Sequence, residues 1–280
     1  MSIATRRAIR ALFCPSTPAF ITVALWAAGA SANPRPLPFS YPHEQLPENG
    51  TELEQYVDFT TAKASDPSNP ISKQYGMFQF QTEFEHGITD RLELGLYVTY
   101  SPSAPTDFTN TPLPLEGNGM KQRLRYKLDD TGAWPVDVAV YMELSENERE
   151  LELEGKVILQ RRFGIMRLMA NVTAEQEFYY NAKHDFVFDP SAGVTFEATP
   201  SIQPGIEWWM RGEYPEENVP KNRPFSLGPH QYIGPALLVQ MGSLWWTNGV
   251  YLRVSDWDHD LVPGETFGKL WIRSVIGYGF

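Results

Sequence analysis

From residue 51 onward the chain alternates apolar and polar side chains in twelve segments of about ten residues, each bounded by turn-forming residues. A period of two places successive side chains on opposite faces of a strand, so each segment reads as a strand with one apolar and one polar face. The clearest is the second, where Phe78, Phe80 and Phe84 fall on one side and Gln79, Gln81, Glu83 and Glu85 on the other. In the first, 51–61, Leu53, Val57 and Phe59 face out and Glu52, Glu54, Tyr56 and Asp58 face in, with Gln55 interrupting the apolar face. The remaining segments are 92–100, 120–128, 136–144, 150–160, 166–176, 191–198, 205–214, 231–240, 244–254 and 270–280. Pro235, inside 231–240, removes a ladder hydrogen bond and predicts a bulge there.

The links sharpen this into a topology. Those after the second, fourth, sixth, eighth and tenth segments are short, those after the first, third, ninth and eleventh are clearly longer, and those after the fifth and seventh are moderately long. Short periplasmic turns and longer external loops are the habit of outer-membrane barrels. The expectation is therefore an all-β chain forming a transmembrane antiparallel β-barrel of 12 strands, with both termini periplasmic. The last strand stops on an aromatic, with Ile276, Tyr278 and Phe280 on one face and Trp271, Arg273, Val275 and Gly277 on the other. Such an ending resembles the closing strand of a bacterial outer-membrane barrel. That resemblance implies that Ile276, Tyr278 and Phe280 form the signal read by the barrel assembly machinery.

The other terminus points to the same compartment. Arg6, Arg7 and Arg10 precede an apolar run of about eleven residues, 19–29, and then the small residues Ala30-Ser31-Ala32. The run is too short to span the roughly 30 Å hydrocarbon core as a helix, so it reads as a signal peptide cleaved after Ala32. Cys14, the only cysteine, leaves with it, which excludes disulfides and cysteine metal sites from the mature chain. Loss of three arginines leaves 20 basic against 34 acidic side chains, a net charge of −14 that gives nucleic acid no footing. The division is then signal peptide 1–32, a proline-rich periplasmic lead-in 33–50 that is extended and without a core of its own, and the barrel 51–280. A chain without a helical span can cross a membrane only as a closed barrel, since lipid offers backbone groups no hydrogen bonds. Bacterial outer membrane is the expected location, with outer-membrane lipid as a partner.

Residues 85–97 (Glu-His-Gly-Ile-Thr-Asp-Arg-Leu-Glu-Leu-Gly-Leu-Tyr), 205–209 (Gly-Ile-Glu-Trp-Trp) and 233–236 (Ile-Gly-Pro-Ala) carry a family resemblance. The chain resembles uncharacterised outer-membrane proteins grouped near the meta-pathway phenol-degradation outer-membrane family. These segments are barrel grammar and hold no catalytic signature, so the resemblance implies the fold and not an activity.

Chemistry is to be sought in the lumen. Inward parity gives a basic wall on the fourth segment, Lys121, Arg123, Arg125 and Lys127, and an acidic wall of Glu83, Glu93, Asp137 and Glu143 around it. Opposite charges on adjacent strands can pair across the ladder and close a narrow barrel. Alternatively, facing basic and acidic walls form an eyelet whose transverse field orients a permeating solute. Near the external loops Glu150, Glu152, Glu175 and Glu177 gather, with Glu146 and Glu148 between strands; they are either solvated acids at a pore mouth or an attraction for divalent cations. Loop 256–260 (Asp-Trp-Asp-His-Asp) lacks the glycine and distal glutamate of a calcium loop, and no metal or cofactor is assigned. Most tryptophans suit interfacial girdles, the alternative being a sugar-stacking platform; Trp209, Trp245 and Trp271 have inward parity.

Enzyme motifs are missing. No His-x-Ser pair occurs, the five histidines fall in the lead-in, turns or loops, and neither phosphate loops nor zinc-binding HExxH are present. Glu152 and Glu154 could in principle serve as a glycosidase pair, but in an alternating strand they read as lumen lining. The expectation is therefore no enzyme, but an outer-membrane barrel acting as a passive channel or solute-specific porin for a small solute. The alternatives are a non-conducting structural, adhesion or assembly barrel and a secreted all-β carbohydrate-binding protein or hydrolase.

Overall fold

Alternation along every segment lets each strand present its apolar side outward while hydrogen-bonding on both edges, and the sheet closes. The computed structural model describes residues 32–62, 75–102, 115–215, 229–255 and 267–280. In chain order the strands are β1 (Thr51–Ala62), β2 (Tyr75–Thr89), β3 (Leu92–Pro102), β4 (Leu115–Lys127), β5 (Asp137–Glu146), β6 (Glu150–Phe163) and β7 (Met166–Tyr179). They continue with β8 (His184–Phe188), β9 (Ser191–Phe196), β10 (Ile202–Pro215), β11 (His230–Met241), β12 (Leu244–Arg253) and β13 (Leu270–Gly279). Each pairs antiparallel with its neighbours, β13 pairs with β1, and among the described residues no edge is left open. Among the described residues the thirteen strands make twelve crossings, because β8 and β9 are two halves of one.

That split crossing is a proline effect. The pairing of Phe188 with Ala174 and of Ser191 with Asn171 keeps a single register on β7, and the same continuity holds on β10. Pro190 has no N–H, yet the Asp189 N–H still donates to the Thr173 carbonyl at 3.1 Å and the Met210 N–H to the Pro190 carbonyl at 3.0 Å. The sequence pattern places this crossing's start at residue 191; it starts at His184. His86 and His230 likewise lie within strands, not in turns or loops. Pro235 makes no bulge: β11 holds its register on β10 throughout, and on β12 the ladder skips only Gly234 and Pro235 before resuming unshifted. Register shifts occur instead at Gly87/Thr89 and at Thr99/Tyr100.

The outer surface carries Leu53, Leu96, Val98, Leu124, Met142, Val157, Ile206, Val250 and Ile276, all exposed. Gln55 interrupts this face and is satisfied within it. Its Oε1 accepts from the Thr82 hydroxyl (2.7 Å) and the Tyr100 hydroxyl (3.0 Å), and its Nε2 donates to the Gln81 carbonyl (3.1 Å). A side-chain amide facing lipid requires such partners.

The largest departure from the sequence reading is the lead-in. Segment 33–46 does not stand apart from the barrel; it folds into the lumen, where Arg35, Leu37, Ser40, Tyr41, His43 and Leu46 are buried. It enters beside the short turns, where the Asn33 N–H donates to Glu52 at 2.8 Å. It reaches the level of Asn171 and Tyr97 at Tyr41, then returns to the turn at 47–50 that starts β1. Asn49 takes a positive φ of 64° in that turn. The wall makes room for the segment. Gly193 and Gly205 both point inward, and a Cβ on Gly193 would lie 2.4 Å from the Leu37 side chain.

Candidate functional site

The lumen has two halves. In the half nearer the short turns, the folded-in segment replaces water with side-chain partners. The Phe39 and Ser40 N–H groups donate to Glu207 at 3.1 and 2.6 Å. Asn171 clamps Tyr41 on both sides, accepting from its N–H at 2.6 Å and donating to its carbonyl at 3.1 Å. Gln160 accepts from the His43 N–H at 3.1 Å and Glu93 from the Leu46 N–H at 2.8 Å. His43 lies against Asp129 (3.1 Å) and Thr131 (3.2 Å). Wall side chains thus do for this segment what a neighbouring strand would otherwise do.

Arg123 and Arg125 of the basic wall lie here, fully buried. Arg123 donates to Glu83 and, at 2.7 Å, to Glu93, and it also pairs with Glu85; Arg125 donates to Glu93 at 3.0 Å. Reaching Glu83 means crossing β3, and Gly95 is what permits it: a Cβ there would lie 2.5 Å from the Arg123 Nε. Glu85 belongs to this network although the acidic wall drawn from sequence omits it. Of the other expected members, Asp137 is buried and accepts from the Gly132 N–H at 2.6 Å, and so braces a turn. Lys127 is half-buried beside the same turn end. Arg35 completes the network from the folded-in segment, with its Nη2 3.1 Å from Glu54, 3.7 Å from Glu83 and 3.8 Å from Glu85. Glu52, Glu54 and Glu85 bring oxygens within 4.8 Å of one another, the spacing a metal would need. Their oxygens already accept from Asn33, Trp245, Tyr56, Arg35 and Arg123.

Between this segment and the long-loop end lies a cavity of about 580 Å³, with Arg35, Phe39 and Tyr41 among its lining. Lys121 pairs with Glu143 at 3.0 Å and Lys156 with Glu154 at 2.9 Å. Toward the long-loop end Glu152 stands opposite Glu177 and Glu154 opposite Glu175 on β6 and β7. Like charges directly opposed repel and need a counter-ion. Arg211 supplies it, at 2.9 Å from each of Glu177, Asp189 and Glu213 and 3.8 Å from Glu175. Glu150 lies opposite Tyr179 at the rim of this group.

Trp209, Trp245 and Trp271 do point inward. Trp209 stacks between Phe39 and Tyr232, each ring centroid 4.2 Å away, while Trp245 and Trp271 donate to Glu52 (2.7 Å) and Asp58 (2.8 Å). Trp134 and Trp246 are exposed on the outside, where interfacial rings belong. Loop 256–260 lies outside the described residues, as do residues 1–31 of the expected signal peptide, Cys14 among them.

No known family profile matches the chain, and no curated protein sequence does. Solved structures do. The NanC porin aligns over 81% of this chain and 98% of its own at 9% identity, with a TM-score of 0.52. The fold is that of an outer-membrane β-barrel. The beta domain of the Bordetella autotransporter BrkA (12% identity, 83% of this chain and 100% of that one, TM-score 0.47) and LpxR from Salmonella typhimurium (7%, 81% and 99%, 0.44) also align. The likeness to the phenol-degradation group has no counterpart at the level of sequence families.

One expectation is corrected here. The likeness to solved structures shows the fold alone and leaves an enzyme open, so the absence of enzyme motifs does not make this chain a non-enzyme. A fold hosts unrelated activities, and function has to be argued from the site. Carboxylates also meet across the ladder here, as Glu154 and Glu175 do.

Proposed function

We propose that the protein is a bacterial outer-membrane channel or solute-specific porin for small solutes, with both termini periplasmic and the lumen closed on that side by segment 33–46. The observation that carries this reading is the cavity of about 580 Å³, within the size range of small-molecule sites, lined by charged walls and floored by Phe39 and Tyr41. The segment beneath it is held by side chains and by a turn, not by a strand ladder. It can leave without unpairing any strand of the wall. The exposed outer face, with Ile276, Tyr278 and Phe280 closing it, supports insertion by the barrel assembly machinery.

The dense packing of Arg123 and Arg125 favours a second reading, a barrel that never conducts and serves structure or adhesion. Planar-bilayer recording separates the two. The wild type should be mostly closed, and an Asn171→Ala, Gln160→Ala double variant, which frees Tyr41 and His43 without altering a buried charge, should spend far longer open. Silence of both forms, in protein verified as inserted, would leave the non-conducting reading.

A further inference from the structure

Five buried carboxylates, Glu52, Glu54, Glu83, Glu85 and Glu93, stand together on β1, β2 and β3. The barrel wall answers them with two guanidinium groups, those of Arg123 and Arg125. The third cation, Arg35, belongs to the folded-in segment. Its guanidinium lies over the Tyr41 ring at 3.7 Å and faces the Tyr56 ring of the wall at 5.3 Å, while Tyr56 itself donates to Glu83 at 2.7 Å. When the segment leaves, the carboxylates and the Tyr56 ring remain, because the ladders of β1–β3 do not involve it.

We propose that this half of the lumen is a binding station for a small guanidinium- or amine-bearing solute, and that Arg35 occupies it as a tethered stand-in. Carboxylates spread over three strands match a planar fork with several donors better than a point charge, and an aromatic face adds a contact that only an organic cation exploits well. The cavity above supports the same polarity, since Glu150, Glu152 and Glu177 line the approach. This inference rests on the channel reading for passage, but not for binding.

The two are tested apart. Full-length Arg35→Ala protein should melt below the wild type. Millimolar methylguanidinium chloride should recover at least half of that loss, while sodium, tetramethylammonium and magnesium chlorides at equal ionic strength should not, and the wild type should not respond. If Arg35→Ala does not fold, Arg35→Gln keeps the stem and takes its place. No recovery, or equal recovery by magnesium, overturns the station. In bilayers, the Asn171→Ala, Gln160→Ala variant should prefer cations and pass methylguanidinium, and adding Glu54→Gln should reduce that preference several-fold. An open pore that prefers chloride overturns the inference and leaves the channel reading standing. A silent pore combined with thermal recovery defeats the channel reading and leaves the station.

Discussion

The two halves of the lumen use the same residue types to different ends. Beside the short turns, Arg123 touches Glu83, Glu85 and Glu93 with all four side chains out of solvent. Toward the long loops, Arg211 touches Glu177, Asp189 and Glu213, but its side chain is 23% exposed, as is Glu213's. One network is sealed beneath a folded-in segment; the other lines a cavity. In a sealed network every charge depends on its partners, whereas in a wet one water can replace a missing partner. Inward parity alone cannot tell these apart, because both halves read as alternating Glu and Arg.

The largest effect should come from breaking the sealed network. Arg123→Ala leaves three buried carboxylates short of a counter-charge, and loss of one partner from a buried ionic cluster costs about 3–5 kcal/mol. Arg211→Ala, where solvent reaches the group, should cost about 1 kcal/mol. Urea unfolding of both variants in the same detergent measures the contrast. Equal losses would mean that the cavity half is as dry as the other, and the division drawn here would fail.

The folded-in segment is what seals one half, so displacing it should convert that half into the other kind. Gly193→Val puts side-chain atoms where Leu37 now packs. Overpacking of a filled site typically costs about 1–3 kcal/mol; expelling the segment relieves the contact with Leu37, while the wall absorbs the contact with the Ile206 carbonyl, 2.7 Å from the new Cβ. Chymotrypsin should then cut after Phe39, a bond that the wild type protects, while a folded barrel band persists on gels at a somewhat lower melting temperature. Wild-type protein cut equally fast would show that the segment does not stay in the lumen.

How much of this was legible in the sequence follows from which interactions are periodic. Alternation placed the strands and the inward faces, and it put Arg123, Arg125, Glu83 and Glu93 in the lumen because a period of two admits no other arrangement once one face is apolar. The folded-in segment is not periodic. Its prolines read as an extended lead-in, whereas the segment bends through 36–40 and turns back inside the lumen, and where it lies depends on wall groups as distant in sequence as Asn171 and Glu207. A signal was available: Gly95, Gly193 and Gly205 fall at inward positions, and inward glycines are spaces that something else must fill. The eighth crossing was shortened for a related reason, since Pro190 ended the pattern although the register ran on through it.

The smallest effect expected lies at the boundary between the halves and solvent. Glu44, on the returning arm of the segment, is partly exposed and sits 3.5 Å from Arg162 and 3.7 Å from Arg167. Burial pushes its carboxyl up, but attraction to Arg167, a backbone hydrogen bond, Gln160 and Arg162 together hold it below the ordinary carboxylate range. A depressed folded-state value contributes stability that is present above the unfolded-state pKa, about 4.3, and is lost as pH falls through the folded-state value. Wild type should therefore exceed Glu44→Gln by about 0.5 kcal/mol at neutral pH, the scale of a partly solvated pair, and the difference should vanish as the medium becomes acidic enough to protonate Glu44. Paired melts from neutral to strongly acid buffer measure it. A difference that stays constant with pH would mean that Glu44 holds the arm by packing and not by charge, and that the sealed half extends further toward the short turns than its exposure indicates.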